Sequence, residues 1–130
     1  MSIKGKEGIN MKKNKAKEYV NDKDKASELL DEAKEKLKGN NSGPIEKVWS
    51  DLQLLFKALN DWIKGNYREF PTGTLIMIIA SLLYFVSPID LVPDFIPVAG
   101  LADDATVITF TIRQIHDDLQ KYKVWKKNYA

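Results

Sequence analysis

The sequence predicts an all-α protein: a small helical domain with a central apolar helix, a Pro/Asp-rich turn and a polar N-terminal helical extension. Three observations carry that reading. Apolar residues recur at i, i+3 and i+4 through most of the chain, the spacing of one helix face. The run "LIMIIASLLYFV" (residues 75–86) is apolar all round, as a helix enclosed on every side must be. No stretch sustains the alternation of a half-buried strand, and no internal repeat is present.

The elements follow in order. From about Lys12 to Lys38 the chain reads as helix, with Ala26, Leu29, Leu30, Ala33 and Leu37 on one stripe and Gly39 as the stop. The stripe is thin and rich in alanine, so this helix needs something to pack against. "GNNSGP" (residues 39–44) has the composition of a hinge. These features divide the chain into a polar extension and hinge, residues 1–43, and a helical domain, residues 44–130. In the second helix Pro44 suits the first position, Glu46 the first turn, and Gly65 lies just past the end. Ile45, Val48, Trp49, Leu52, Leu55, Phe56, Leu59, Trp62 and Ile63 trace its apolar face, with Lys47, Asp51, Lys57, Asp61 and Lys64 off it. Burying side chains of that size stabilises by about 1.5–3 kcal/mol each. The third helix spans about Thr72 to Val86. A fourth runs from Leu101 or Asp103 to Lys126, with Ala105, Ile108, Ile112, Ile115, Leu119 and Tyr122 as its stripe. Its last turns are basic, as the helix dipole favours.

Composition narrows the function. The 130 residues carry a net charge of +2, and only Arg68 and Arg113 are arginines, which argues against a nucleic-acid partner. The chain has no cysteine, hence no disulfide and no zinc–thiolate site. Its start, "MSIKGKEGINMKKNKAKEYV", lacks the apolar core of a signal peptide. The charge is uneven: residues 1–44 hold eleven lysines and eight acids, residues 71–112 hold no basic residue, and lysines return in "RQIHDDLQKYKVWKK".

The densest motif is "SPIDLVPDFIPVAGLADD", Ser87 to Asp104. Ser87-Pro88-Ile89-Asp90 has the form of a capping box with proline at the first helical position. Pro93 would clash with the carbonyl of Ile89, so a helix begun there lasts about one turn. Asp94 can cap a second short turn that includes Pro97, and Asp103 and Asp104 suit the start of the next helix, near its positive dipole end. The expectation is a structural turn built from Ser87, Pro88, Asp90, Pro93, Asp94, Pro97, Gly100, Asp103 and Asp104. The sharper alternative is a divalent-cation site on Asp90, Asp94, Asp103 and Asp104, since Mg²⁺ and Ca²⁺ take carboxylate oxygens. The spacing is not that of an EF-hand loop. His116, the only histidine, lies beside Asp117 and Asp118 and reads as a surface residue. No phosphate-binding loop or metalloprotease motif occurs, so no catalytic residue and no cofactor is assigned.

Those residues also carry a resemblance. The stretch resembles the signature of the YkvA-like family, a domain of unknown function numbered 1232. Ser87, Pro88, Asp90, Pro93, Asp94, Pro97, Gly100, Asp103 and Asp104 match it in place, and the preceding apolar helix matches in character. Val92 stands where Ile is common, and Ala102 where bulkier residues are usual. The match covers about Phe70 to Ile112 and leaves residues 1–65 unexplained. It implies a small helical domain, mostly bacterial and often predicted to be membrane-associated, with no established activity, cofactor or catalytic residue.

Two settings suit the apolar middle. Phe70 to Ile89 is twenty residues without charge, about 30 Å as helix and enough to cross a bilayer. The helix itself is nearer fifteen residues, roughly 22 Å, which falls short. A shallow hairpin of the third and fourth helices would dip into lipid and keep both lysine-rich ends in the cytoplasm. The alternative is a soluble, cytoplasmic bundle in which the second and fourth helices cover the third. The function expected is non-enzymatic: a membrane-associated scaffold or interaction protein with lipid as partner. A second possibility is an interaction module that binds a protein partner or a second copy through residues 12–38. Deciding between them requires knowing what covers the third helix.

Overall fold

The structure, a computed structural model, describes residues 15–39, 48–86 and 104–129. Residues 15–20 are helical, followed by α1 (Lys23–Lys38), α2 (Trp49–Ile63), α3 (Thr72–Val86), α4 (Asp104–Gln114) and α5 (His116–Tyr129). No strand occurs among the described residues.

The first expected helix is interrupted at Asn21–Asp22. Asp22 is the cause: its carboxylate accepts from the backbone N–H groups of Asp24 and Lys25, at 3.1 and 3.2 Å, and starts α1 anew. An acid at a helix start satisfies otherwise orphaned donors, so the break is a cap. Pro44 and Glu46 lie outside the described residues. The third helix has the limits its sequence implied. The fourth is divided at Ile115 into α4 and α5, although Ile115 N–H still bonds the Thr111 carbonyl and Leu119 N–H the Ile115 carbonyl. The stripe of Ile108, Ile115, Leu119 and Tyr122 stays buried through the break. Apolar periodicity is therefore blind to it.

The helix α3 is central. Leu75, Ile78 to Phe85 and Thr74 are all buried, and α1, α2 and α4 pack on it. α1 contributes the stripe expected from its spacing: Ala26, Leu29, Leu30, Ala33 and Leu37 are buried against α2 and α3. This answers how so thin a stripe holds its helix. The stripe on which the expected docking of residues 12–38 to a partner rested is thus covered within the chain itself. The same apolar core takes in Ala16, the α1 stripe, α2, α3 and the α4–α5 stripe. On α2, Leu52, Leu55, Phe56, Leu59 and Trp62 face this core as expected, whereas Trp49 stands 42% exposed.

α3 and α4 pair at the end where the Pro/Asp segment joins them. Tyr84, near the end of α3, packs with Val107, near the start of α4, and Phe110 lies against both. At the same end Lys36 of α1 donates from Nζ to the Phe85 carbonyl at 2.6 Å, and its ammonium lies over the Phe85 ring. A cation there satisfies a carbonyl that the helix leaves free and meets the negative end of its dipole.

Candidate functional site

The structure draws attention to an acid the sequence did not. Asp61 sits in the last turn of α2 and was placed off the apolar face, yet it is only 4% exposed. Burying a carboxylate is unfavourable unless every oxygen finds donors. Here they do. Oδ2 accepts from the Tyr122 hydroxyl at 2.5 Å and from Lys126 Nζ at 3.0 Å, and Oδ1 accepts from Asn66 Nδ2 at 3.2 Å.

The turn after α2 brings these donors together. Gly65 has φ +76°, a left-handed conformation that glycine adopts without strain. The chain reverses there, and the N–H groups of Asn66 and Tyr67 bond the Asp61 carbonyl at 2.8 and 3.2 Å. One residue thus receives the turn on both its backbone and its side chain. Tyr67 and Phe70 are then carried against α5, where Tyr67 meets Tyr122 and Trp125 and Phe70 meets Tyr122, with ring centroids 5.2–5.7 Å apart. Edge and tilted contacts at that spacing are favourable for aromatic rings.

The electrostatics follow from this packing. Burial pushes the Asp61 carboxyl up, but the hydrogen bonds from Tyr122, Lys126 and Asn66 and the Lys126 charge outweigh it, so the group titrates below its ordinary value. Burial, the bond to Asp61 and its charge push the Tyr122 hydroxyl up. Tyr67 is raised as well, by burial and by the charges of Glu69 and Asp118. The cluster is a closed internal network. Each oxygen of the carboxylate is taken, and its chemistry is that of a clamp between α2 and α5.

Of the residues singled out from sequence, Ser87, Pro88, Asp90, Pro93, Asp94, Pro97, Gly100 and Asp103 lie outside the described residues, and Asp104 is placed as the first residue of α4. The turn and the cation site assigned to them therefore lie outside what the structure describes. Among the described residues no three His, Asp or Glu side chains are grouped as metal ligands. His116 and Asp117 are exposed. Asp118 is not simply on the polar side: it accepts from Thr74 Oγ1 at 2.5 Å and ties the start of α5 to the start of α3. An open cleft of about 290 Å³ between α1 and α2 is lined by Lys34, Leu37, Lys38, Trp49, Gln53 and Phe56, a set without a carboxylate, hydroxyl or imidazole.

No helix among the described residues is long and apolar enough to cross a membrane. The signal for Asp61 that the sequence did hold is "DWIKGN", an acid four residues before a helix-stopping glycine, with Asn66 beyond it. Its other partners, 61 and 65 residues away, left no local trace.

Comparison with known proteins matches the α3–α4 pair. The model of a family described as "Protein of unknown function (DUF1232)" matches residues 74–110, from the first turn of α3 into α4. The "Uncharacterized membrane protein YkvA" of Bacillus subtilis (strain 168) is 33% identical over 81 residues, 62% of this chain and 76% of that protein. No solved structure matches the chain. With the Pro/Asp signature, the apolar helix before it and a relative this similar over most of its length, the chain belongs to the YkvA-like DUF1232 family.

Proposed function

We propose that this protein is a non-enzymatic helical scaffold or interaction protein that associates with a membrane at its surface, from the cytoplasmic side. The observation that carries the reading is the burial of α3. Its apolar surface, the part of the chain best suited to lipid, is covered by α1, α2 and α4. α1 turns Glu28, Asp31, Glu32, Lys34 and Glu35 outward over it. Sinking the α3–α4 hairpin into a bilayer would drag these charges along or strip α1 away, and either is unfavourable. Association through the protein surface avoids both, and a relative described as a membrane protein supports association of some kind. The network around Asp61 supports a structural role, because each donor is directed at the carboxylate rather than at a cleft.

The test is extraction. Expressed without detergent, the chain is expected to sediment with membranes at low salt and to be released by alkaline carbonate or high salt. Retention after carbonate would mean insertion. Full recovery in the soluble fraction at low salt would reject membrane association and leave the cytoplasmic alternative.

A further inference from the structure

The membrane reading leaves open which surface makes contact. We infer that the second half of α5 is a docking face for an anionic lipid bilayer, an assignment that rests on the surface association proposed above. Residues 119–129 contain four lysines and no acid. Lys126 is turned inward to Asp61, whereas Lys121, Lys123 and Lys127 are exposed. At 100° per residue Val124 lies nearly opposite Tyr122, and it is flanked by these three lysines. Val124 is 59% exposed and Tyr129 78% exposed, with Trp125 half-buried between the aromatic cluster and the solvent.

Single exposed apolar residues are ordinary. A valine, a tryptophan and a tyrosine among three free lysines on about 12 Å of one helix are a different matter. Aromatic rings sit at the headgroup level of a bilayer, apolar side chains reach the acyl boundary, and lysines bind anionic headgroups. The face is also presented rigidly. Tyr122 and Lys126 are bonded to Asp61, and Tyr122 and Trp125 pack edge-on and tilted against Tyr67, which holds the exposed lysines on the outward side. Charge selects the occupant: a positive face without acids suits a negative surface, and the exposed Val124 at its centre favours lipid over a polyanion.

The experiment is sedimentation of the full chain with vesicles of phosphatidylcholine alone or with phosphatidylglycerol added. Wild type is expected to bind only the anionic vesicles, more weakly as salt rises. A Lys121→Gln/Lys123→Gln/Lys127→Gln variant should bind about 100-fold more weakly, at roughly five-fold per lysine. Val124→Ser should weaken binding several-fold without altering any charge. All four positions are exposed, and an unchanged melting temperature confirms that each variant is folded. Equal binding by wild type and the triple variant would place the contact elsewhere, overturning this assignment while the surface reading stands. Absence of vesicle binding by wild type overturns both. Lysine-dependent binding to duplex DNA, with none to vesicles, would overturn the assignment in favour of nucleic acid.

Discussion

The two ends of α3 are held by different means. At its start, Thr74 bonds Asp118, Phe70 enters the aromatic cluster, and Tyr122 of that cluster bonds Asp61. Three elements, α2, the turn at Gly65 and α5, converge there through side chains that satisfy one another. At its far end, among the described residues, Lys36 from α1 meets the Phe85 carbonyl, and Tyr84 packs on Val107. The first end is a network in a partly dry setting, so losing one member leaves others buried and unpaired. The second, among the described residues, is marked by a charged bond to a helix-end carbonyl, beside the helix dipole. An apolar helix thus needs polar fastening at both ends, but the strength of each depends on how many partners share it.

Replacing Asp61 is the largest disturbance expected. Asp61→Ala leaves the Tyr122 hydroxyl buried without its acceptor and should lower stability by about 3 kcal/mol, read by urea denaturation. Asp61→Asn should be milder, since its amide oxygen still accepts. The pH profile gives an independent check. The folded Asp61 carboxyl titrates below its ordinary value, so its contribution is present above about pH 4 and is lost as pH falls through the folded pKa. Tyr122 and Tyr67 are raised, so their contribution is present below about pH 10 and is lost as pH rises through their folded values. Wild type should therefore lose stability on both flanks, and Asp61→Asn should lose less than wild type on the acid one. A wild-type acid flank unchanged by Asp61→Asn would mean that the clamp contributes nothing.

A smaller effect is expected from the turn that supplies Asn66 and Tyr67. Gly65→Ala places a side chain at φ +76° and about 3.3 Å from the Arg68 guanidinium. The left-handed backbone alone should lower stability by about 1–2 kcal/mol. Thermal melting reads it, and a neutral result would show that the turn relaxes without disturbing Asp61.

The smallest belongs to the far end. Lys36→Met keeps the aliphatic stem and removes the bond to Phe85, for an expected loss of about 1 kcal/mol that shrinks with added salt. Combining it with Asp61→Asn sharpens the comparison. The 15 residues of α3 separate the two sites by about 22 Å, so the losses should add. A clear departure from additivity would mean that the ends communicate through α3.

Much of the fold was legible in the residues. The stripe of α1, the core face of α2, the limits of α3 and the stop at Gly65 all follow from local spacing and composition. What escaped has one character. The cap at Asp22 competes with a continuing helix over a single residue, and the division at Ile115 leaves apolar spacing intact. Trp49 was read into the core because its position fits the helical period, yet it stands 42% exposed while Val48 beside it is buried. Asp61 was read out of the core because acids usually are.

By itself the sequence determined that the chain is helical, which face of each helix is apolar, and which family its Pro/Asp signature belongs to. These properties depend on neighbours within about one turn, where backbone geometry and side-chain volume act directly. Only the tertiary structure decided that α1 covers α3 and that Asp61, Tyr122 and Lys126 share one buried network. Helical period reports which residues lie on a common face, not which faces meet. Pairing α2 with α5 across some sixty residues is chosen by the packing of the whole core.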